Sequence, residues 1–441
     1  MRTILAFTVL FYSIFTFAQT EWTYEKIDSI TYQQYIKKDF KNLKKTGIKA
    51  LKKEIDFYYL RTRLGIAYYE TKNYEKALVH FKKAYEMNPS EAIIKEYYYF
   101  SLLNTLRTSD AYDLASGFST TLQNKMGFKN RNDLVSAFDK ISITVNTMTN
   151  KNHSKADDAI LGDGTYAERT LNNDTYVGNL YVENSISNRI KMYNSFSYIA
   201  VNSTGIVQTA ILDEKRDYDN TNWDYTLGIN YDIKNLFKVN LFGSFHKEQS
   251  NYLSLTLDPS DFSLIYNDND YQFNSYSGGI ALSKRIRNFG INTSFSVSNF
   301  TDRKQYQYGA SLLWYPFGNT NFYSSSSFTY LLNNDEKQYI YSQYVGFKLR
   351  KNIRFELNGS FGNHQNFIST DGLISYNTLD PILFLGEAKL FLNYKKFTFI
   401  PAYGMQEREG SYNVYSGIDT FETITNKYNN NLYKLTILWN F

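Results

Sequence analysis

The sequence predicts a mixed fold, in which N-terminal α-helices precede a transmembrane β-barrel of about 14 antiparallel strands. Two periodicities predict this fold class. The pattern is helical and rich in Lys and Glu from about Glu21 to Phe128, and apolar and polar residues alternate from about Lys140 onward. The chain closes with an alternating segment, LYKLTILWNF, in which one strand face carries Tyr433, Leu435, Ile437, Trp439 and Phe441.

Composition favours membrane-spanning strands over membrane-spanning helices. Aromatic residues make up 18% of the chain, yet its mean hydropathy is only -0.46. No internal run of about 18 apolar residues is present to form a membrane helix. The formal net charge of +5 is too small to indicate nucleic-acid binding. The chain has no Cys, which excludes disulfides, thiolate chemistry and lipid attachment to Cys.

The first residues, MRTILAFTVLFYSIFTFAQT, have the features of a secretory signal peptide. Arg2 supplies a positive charge, residues 4–17 form an apolar core, and residues 16–18 form a small-x-small cleavage site before Gln19. We therefore expect residues 1–18 to be a signal peptide.

One stretch of the helical region, YYLRTRLGIAYYETKNYEKALVHFKKAYEMNP, has a specific spacing. Small residues stand where two antiparallel helices would cross, aromatic residues fill the space between the helices, and a Pro ends the second one. This is the spacing of a tetratricopeptide repeat. We predict that the residues of its protein-binding groove are Leu64, Gly65, Tyr68, Tyr74, Ala77, Phe81, Ala84 and Pro89.

Two weaker copies flank this repeat when the sequence is shifted by about 34 residues. Leu43 and Ala50 align before it, and Ala111 and Phe118 align after it. About three repeats is the minimum for a stable stack, and such a stack presents a concave surface to a protein or peptide partner. We predict a periplasmic helical domain at residues 19–128. The alternative is a structural spacer without a ligand.

Fourteen alternating segments predict the barrel, at residues 140–441, after a linker at residues 129–139. They begin near Lys140, Thr175, Arg189, Trp223, Phe237, Tyr271, Phe289, Gln305, Asn321, Gln338, Ile353, Ile382, Phe397 and Asn431. Each segment is about ten residues long and polar on its second face, as the strands of outer-membrane barrels are. A soluble sandwich is the alternative, but so many outward Tyr and Trp residues would leave it few core aliphatics.

The connections between these segments alternate between short and long. The long ones are expected at about 149–173, 204–221, 250–270, 367–380 and 408–428. With the helical domain in the periplasm, every long connection would face outside and every short turn inside. Trp439 and the terminal Phe441 are predicted to form the signal for insertion into the outer membrane.

The predicted lumen carries charges of both signs, which we expect to pair across a largely plugged lumen rather than line a conduit. These residues are Asp224, Asp232, Lys238, Lys348, Arg350, Arg354, Glu356, Glu387, Lys389 and Lys434. The interior of a barrel of about 14 strands is intermediate in width. It is wider than that of small barrels whose side chains fill the interior, and narrower than the channel of the large porins.

No motif predicts an enzyme, a cofactor or a metal site. The four His residues, His80, His153, His246 and His364, are scattered, and none has the spacing of a zinc motif. His246 and His364 lie near the outer ends of strands, where a barrel hydrolase is the alternative. No recognisable Ser motif accompanies them.

The signal peptide, the repeat residues and the C-terminal barrel together resemble tetratricopeptide-repeat-fused outer-membrane proteins. The architecture is similar to the surface lipoprotein assembly modifier family, which has periplasmic repeats and a 14-stranded barrel. Exopolysaccharide exporters and YaiO-type proteins share the order, with more repeats or a smaller barrel. The segment IDFYYLRTRLGIAYYETKNYEKAL and the Tyr/Asn/Lys-rich composition resemble repeat–barrel proteins of the Bacteroidota.

This resemblance implies a location in the outer membrane of a Gram-negative bacterium and a role without catalysis. The expected function is that of an accessory in the assembly or export of outer-membrane proteins or surface lipoproteins. The expected partners are outer-membrane lipid, the outer-membrane protein assembly complex or surface lipoproteins. The alternative is a conduit for polysaccharide or small solutes.

Overall fold

The computed structural model describes residues 22–128, 136–150, 155, 157–233, 237–258, 260, 264–300, 304–333, 336–417 and 420–441. The chain divides after Phe128 into two compact units. The predicted signal peptide and residues 129–135 of the predicted linker lie outside the described residues. Within the described ranges, no helix is both long enough and apolar enough to cross a membrane.

The described part of the first unit consists of seven helices joined by short turns. They are α1 (Tyr24–Ile36), α2 (Phe40–Lys52), α3 (Tyr58–Glu70), α4 (Tyr74–Met87), α5 (Ala92–Asn104), α6 (Thr108–Ser116) and α7 (Thr120–Met126). Polar side chains start several of them. Asn73, for example, caps α4 by accepting a hydrogen bond from the backbone N–H of Lys76 at 3.2 Å.

The same turn recurs once in each helix pair. Lys38, Lys72 and Leu106 follow α1, α3 and α5, and all three have a left-handed backbone with φ between 55° and 60°. Each is separated from the next by 34 residues. Non-glycine residues rarely adopt this conformation, so its recurrence marks three successive copies of one helix–turn–helix unit.

The core of this unit forms at the positions that the repeat spacing predicts. A Cβ atom added to Gly65 would lie 2.5 Å from the ring of Phe81, so α3 and α4 can pack closely only because residue 65 is small. Leu43, Ala50 and Ala111 are fully buried in the flanking copies. The predicted repeat packing is therefore confirmed at these positions.

Sixteen strands make up the described secondary structure of the second unit. They are β1 (Ser136–Asn150), β2 (Tyr166–Ser185), β3 (Ile190–Thr209), β4 (Asp213–Ile233), β5 (Phe237–Leu257), β6 (Leu264–Ile286), β7 (Phe289–Ser298), β8 (Gln305–Trp314), β9 (Phe322–Asn333), β10 (Glu336–Arg350), β11 (Ile353–Phe361), β12 (Phe367–Ile368), β13 (Ser375–Tyr376), β14 (Ile382–Tyr394), β15 (Phe397–Tyr415) and β16 (Phe421–Asn440).

Fourteen of these strands form one closed antiparallel barrel, and β12 and β13 form a separate hairpin. The ring runs β1-β16-β15-β14-β11-β10-β9-β8-β7-β6-β5-β4-β3-β2 and closes where β1 pairs with β16, from Lys140↔Asn440 to Asn150↔Asn430. The predicted fold class, helices followed by a barrel of fourteen strands, is confirmed. The closing strand β16 contains the segment LYKLTILWNF up to Asn440.

The outer surface of the barrel is apolar along the closing strands. Tyr433, Leu435 and Ile437 of β16 are 50%, 41% and 39% exposed, and Ile143 and Val145 of β1 are each 56% exposed beside them. An outward apolar face of this kind suits the hydrocarbon band of about 25 Å that outer-membrane barrels present to lipid. The barrel is therefore of the outer-membrane type.

The predicted long connections at 204–221, 250–270 and 408–428 are wrong. Strands β2 to β6, β15 and β16 have 19 to 23 residues, so they continue through most of these ranges. Only residues 210–212 separate β3 from β4. The upper parts of these strands carry Asn, Asp and Thr, so the alternation disappears. Cross-strand pairing nevertheless continues to the strand ends.

Candidate functional site

The connection between β11 and β14 folds into the barrel lumen instead of facing outside, which corrects the prediction for residues 367–380. We call residues 362–381 the lumen hairpin. Its two strands pair at Phe367↔Tyr376 and Ile368↔Ser375. Its tip is closed by a hydrogen bond from the backbone N–H of Ser369 to the carbonyl of Ile374 at 2.8 Å.

The lumen hairpin crosses the lumen from one wall to the opposite wall. β11, where it begins, and β4 are seven positions apart in the ring of fourteen strands. At the far wall, the carbonyl of Asp371 accepts from the Tyr193 hydroxyl of β3 at 2.7 Å. The carbonyl of Gly372 accepts from Thr226 Oγ1 of β4 at 3.0 Å. The lumen is thus spanned by its own connecting segment.

Two Gln residues on β8 hold the first strand of the hairpin. Gln307 donates from Nε2 to the carbonyl of Ile368 at 2.6 Å, and its Oε1 accepts from the N–H of Ile368 at 3.1 Å. Gln305 donates from Nε2 to the carbonyl of Asn366 at 2.6 Å. These side-chain amides satisfy hairpin backbone groups that a neighbouring β-strand would otherwise satisfy.

An apolar pocket in the lumen wall receives the middle of the hairpin. Ile368 is 1% exposed and packs in one cluster with Tyr193, Phe242 and Phe300. Gly372 has a left-handed backbone, with φ 73°, and a Cβ atom there would lie 2.2 Å from the Phe242 ring. The tip can therefore approach the wall only with Gly at position 372.

A polar network on three neighbouring strands lies next to the second hairpin strand. Asp224 Oδ1 lies 2.8 Å from Nδ1 of His246, and Nε2 of His246 lies 3.1 Å from Oγ of Ser277. Ser375 of the hairpin donates from Oγ to the other carboxylate oxygen of Asp224 at 3.3 Å. The sequence did not reveal this arrangement because its members are contributed by β4, β5 and β6.

The order Ser277–His246–Asp224 has the connectivity of a hydrolase triad. Acyl transfer also requires donors aimed at a developing oxyanion. Ser277 lies in the ladder between β5 and β7, opposite Ser244 and Ser298, where backbone groups are committed to strand pairing. The network instead gives polar wall groups hydrogen-bond partners and holds the hairpin through Ser375.

His364 and Asp380 hold the two ends of the hairpin. His364 is 1% exposed, with Nε2 2.6 Å from Ser360 Oγ and Nδ1 2.9 Å from the carbonyl of Ile382. Asp380 accepts from the Tyr428 hydroxyl of β16 at 2.5 Å. Both ends of the lumen hairpin are therefore hydrogen-bonded to the barrel wall.

Opposite charges pair along the remaining lumen wall. Glu387 contacts Lys434 and lies 2.7 Å from Lys389, while Glu356 lies 3.1 Å from Arg354. These pairs join neighbouring positions of the wall and do not reach across the lumen, so the prediction of pairing across the lumen is wrong for them. Within the described ranges, no group of three or more His, Asp and Glu side chains is arranged to hold a metal ion.

The barrel mouth on the side of the long strands is narrowed as well. The upper end of β15 pairs with β2, at Val414↔Ala167 and Tyr415↔Tyr166. Beneath this contact, the N–H of Ile160 donates to Gln208 Oε1 at 2.6 Å, so the connection between β1 and β2 packs against β3. The strand pairing and this connection together narrow the long-strand end of the barrel.

The predicted groove residues lie mainly inside the helical unit. Six of them are buried in its core, while Tyr74 is half-buried and Pro89 is exposed after the end of α4; the six are Leu64, Gly65, Tyr68, Ala77, Phe81 and Ala84. They hold the helix pair together. Most of the accessible surface is formed by other residues, so groove binding by this unit stays a prediction.

The first helices of two successive repeats present an exposed aromatic pair. The Arg63 guanidinium carbon lies 5.2 Å from the Tyr32 ring centre and 5.6 Å from that of Tyr59, and these rings are 47% and 56% exposed. Arg63 also donates to Asp28 Oδ1 at 2.7 Å. The sequence motif missed this pair because it describes internal packing rather than exposed positions.

A buried His lies in the same unit. The Arg61 guanidinium donates to Nδ1 of His80 at 3.2 Å, and the His80 ring stacks on Tyr68. Burial and the positive charge of Arg61 lower the pKa of His80 to about 4. His80 is therefore neutral at physiological pH and acts as a hydrogen-bond acceptor in the core.

Comparison with known proteins identifies one part of the chain. Residues 58–91 match the tetratricopeptide repeat. These residues comprise α3, α4 and the turn that follows. The chain therefore joins a tetratricopeptide repeat to a closed barrel of fourteen strands. The comparison with curated proteins found no match.

Several solved structures are similar to the chain. A Pseudomonas aeruginosa FadL homologue is 8% identical, with a TM-score of 0.43 over 69% of this chain and 91% of that one. The Pseudomonas putida toluene transporter TodX is 6% identical, with a TM-score of 0.43 over 69% and 90%. The KdgM porin is 7% identical, with a TM-score of 0.29 over 63% and 99%.

The C-terminal aromatic residues lie on the outside of the barrel. Trp439 is 39% exposed, and its ring stacks 4.2 Å from that of Phe441 and 5.5 Å from that of Phe397. The Phe441 N–H donates to the carbonyl of Asp139 at 3.1 Å, so the end of the chain is fixed beside β1. Their role as an insertion signal stays a prediction.

Proposed function

We propose that this protein is a non-enzymatic outer-membrane accessory in the assembly or export of outer-membrane proteins or surface lipoproteins. The barrel is the anchor, and the helical unit, in the periplasm, binds a protein partner of that machinery. The observation that carries the proposal is the lumen hairpin. A barrel crossed by its own backbone, which is bonded to opposite walls, is suited to anchoring rather than to free diffusion of solutes.

The partner surface is assigned to the exposed aromatic pair of the helical unit. Tyr32 and Tyr59 lie on the first helices of successive repeats and flank Arg63, so they offer a rigid aromatic surface with a fixed cation between the rings. Aromatic and Arg side chains contribute much of the binding energy in protein interfaces. Tetratricopeptide repeats form concave surfaces of the kind used in protein recognition.

Affinity capture of the full-length protein from cross-linked, detergent-solubilised outer membranes tests the proposal. We expect wild type to recover a defined partner and the double variant Tyr32→Ala/Tyr59→Ala to recover at least tenfold less of it. The matched control is Val79→Ala, because Val79 is 48% exposed on α4, the second helix of the repeat. Failure of both wild type and control to recover any partner would contradict the accessory function.

A conduit for polysaccharide or small solutes is the second candidate. The observation that favours it is that side chains, rather than a strand ladder, hold most of the hairpin backbone, so the hairpin can leave without breaking the barrel wall. Conductance in planar bilayers distinguishes the two functions. If the protein is an assembly accessory, we expect the intact chain to form no open channel. A steady open channel in the intact chain would favour the conduit.

A further inference from the structure

We infer that the lumen wall is a binding site for an extended polypeptide, which the protein's own hairpin occupies in the resting state. The ligand is an unfolded client segment with an apolar residue at its centre. The inference rests on the proposed function only in taking the client of the assembly or export process to be a polypeptide. Its evidence is the chemistry of the contacts between hairpin and wall.

Most of these contacts recognise backbone rather than side chains. The wall bonds the carbonyls of Asn366, Ile368, Asp371 and Gly372 and the N–H of Ile368, at distances between 2.6 and 3.1 Å. Every polypeptide presents these groups apart from the N–H of Pro. Main-chain hydrogen bonds supply affinity in the same way when a peptide adds to an exposed sheet edge.

The wall groups follow the repeat of an extended chain. Gln305 and Gln307 are two residues apart on β8, and they bond residues 366 and 368, which are also two residues apart. Since a strand presents equivalent groups at every second residue, this matched spacing selects an extended ligand. A helical segment would not offer its carbonyls at that interval.

Specificity comes from the apolar pocket. Tyr193 takes part twice, because its ring packs in the cluster around Ile368 while its hydroxyl donates to the carbonyl of Asp371. Phe242 and Phe300 complete the pocket. A client segment would therefore need an aliphatic residue in the position of Ile368 and a small residue where Gly372 approaches Phe242.

The hairpin competes with any client because it is part of the same chain. A tethered segment is present at a high effective concentration, and its ends are held by His364 and Asp380. A free peptide should thus bind poorly until the hairpin is removed or displaced. The hairpin therefore occupies the site in the resting protein, and a client can bind only after the hairpin has left it.

The experiment uses the full-length protein in detergent, with residues 366–377 replaced by a short Gly-Ser linker. The probe is a fluorescent peptide of sequence HQNFISTDGLISYNT, residues 364–378 of this chain. We expect saturable binding to the replacement variant and at least tenfold weaker binding to the intact protein. Circular dichroism and heat-modifiable migration establish that the barrel is folded.

Three matched changes test the mode of binding. An Ile368→Asp peptide should bind at least tenfold more weakly, because it places a charge in the apolar pocket. A peptide N-methylated at Ile368 should bind several-fold more weakly with its side chains unchanged, because the donor to Gln307 is lost. In the protein, Gln307→Ala should weaken binding while Gln338→Ala should not, since Gln338 is a buried Gln whose side-chain oxygen has no partner among the described residues.

The inference is overturned if the folded replacement variant shows no saturable binding, or if the Ile368→Asp peptide binds equally well. Where the replacement variant does not fold, the full-length Ile368→Asp variant replaces it, because its hairpin loses the apolar contact without a change of length. Failure of the wild-type protein to capture any partner from outer membranes would remove the accessory function and leave this peptide affinity in place. The two outcomes are therefore distinguishable.

Discussion

The side-chain amide of Gln307 forms two hydrogen bonds with the backbone of Ile368, one to its carbonyl at 2.6 Å and one from its N–H at 3.1 Å. A single wall residue thus pairs with the hairpin as an adjacent strand would. The relationship explains why a long connection is ordered inside the lumen, since its buried backbone groups find partners there.

Gln307→Ala should loosen the lumen hairpin without unfolding the barrel. Two lost hydrogen bonds at about 1 kcal/mol each correspond to roughly a 10- to 30-fold rise in local opening. Hydrogen exchange with mass spectrometry should show faster exchange of residues 366–376. Exchange unchanged from wild type, or a rise as large in Gln338→Ala, would contradict the assigned contact.

Ile368→Asp should release the hairpin more completely. The substitution buries a carboxylate among Tyr193, Phe242 and Phe300, at a cost of about 3 kcal/mol or more. Ile374→Asp is the matched control, because Ile374 belongs to the same hairpin and is 50% exposed. Limited proteolysis should cut within the hairpin of Ile368→Asp only. Equal cleavage of both variants would show that the pocket does not hold the hairpin.

Gly372→Ala should also destabilise the hairpin, for two reasons that add. The residue has φ 73°, and its new Cβ atom would meet the Phe242 ring. Together these cost about 3 kcal/mol. Gly162→Ala separates the two effects, because Gly162 has φ 51° with no described atom within 4 Å of its Cβ position, and should cost only about 1 kcal/mol. Hydrogen exchange should rise strongly in the hairpin of Gly372→Ala and only weakly in the residues beside position 162 of Gly162→Ala. An equal rise at the two sites would contradict the clash with Phe242.

The helical unit should lose stability as the pH falls. The pKa of His80 is about 4 in the folded unit against 6.5 for an ordinary His, so the unfolded chain binds a proton between these values and the folded one does not. The contribution of neutral His80 to the free energy of unfolding is complete above pH 6.5. It is lost as the pH falls towards 4, which lowers the free energy of unfolding by about 3 kcal/mol in all.

Urea unfolding of residues 22–128 at pH 7.5 and pH 4.5 measures this loss, since the unit has a core of its own. His80→Gln retains a hydrogen-bond acceptor for Arg61 and does not titrate, so its stability should fall much less with pH. A wild-type unit as stable at pH 4.5 as at pH 7.5 would contradict the buried neutral His.

Local periodicity was sufficient to predict the barrel and its fourteen strands. Alternation is strong where one face of a strand meets lipid and the other meets the lumen. In β16, for example, Leu435 lies on the lipid face and Lys434 on the lumen face. It disappears where β2 to β6 continue beyond that band, because apolar residues there, such as Ile206 and Val207, no longer stand at every second position. Their upper halves were therefore predicted as loops. The helical repeat was predictable for a similar reason, since Gly65 and Phe81 meet at short range.

The candidate site depends on contacts that no local pattern contains. Gln307 and Ile368 are 61 residues apart, and Tyr193 and Asp371 are 178 apart. Residues 367–380 mix apolar residues with the turn formers Ser, Thr, Asp, Gly and Asn, so their sequence predicts a loop but not where that loop lies. His246 gains its partners in the same way, because Asp224 and Ser277 come from neighbouring strands.

The most direct test of the central claim, that the hairpin crosses the lumen, is a cross-link within the full-length protein in outer membranes. The chain has no Cys, so the pair Ser375→Cys/His246→Cys introduces the only two thiols. Oγ of Ser375 lies 3.4 Å from Nδ1 of His246, so we expect a short bifunctional thiol reagent to join the two Cys residues and shift electrophoretic mobility, whereas Ser375→Cys/Tyr433→Cys should not be joined. Two thiols that stay unlinked, with the thiol at position 375 freely labelled by a membrane-impermeant maleimide, would contradict the account.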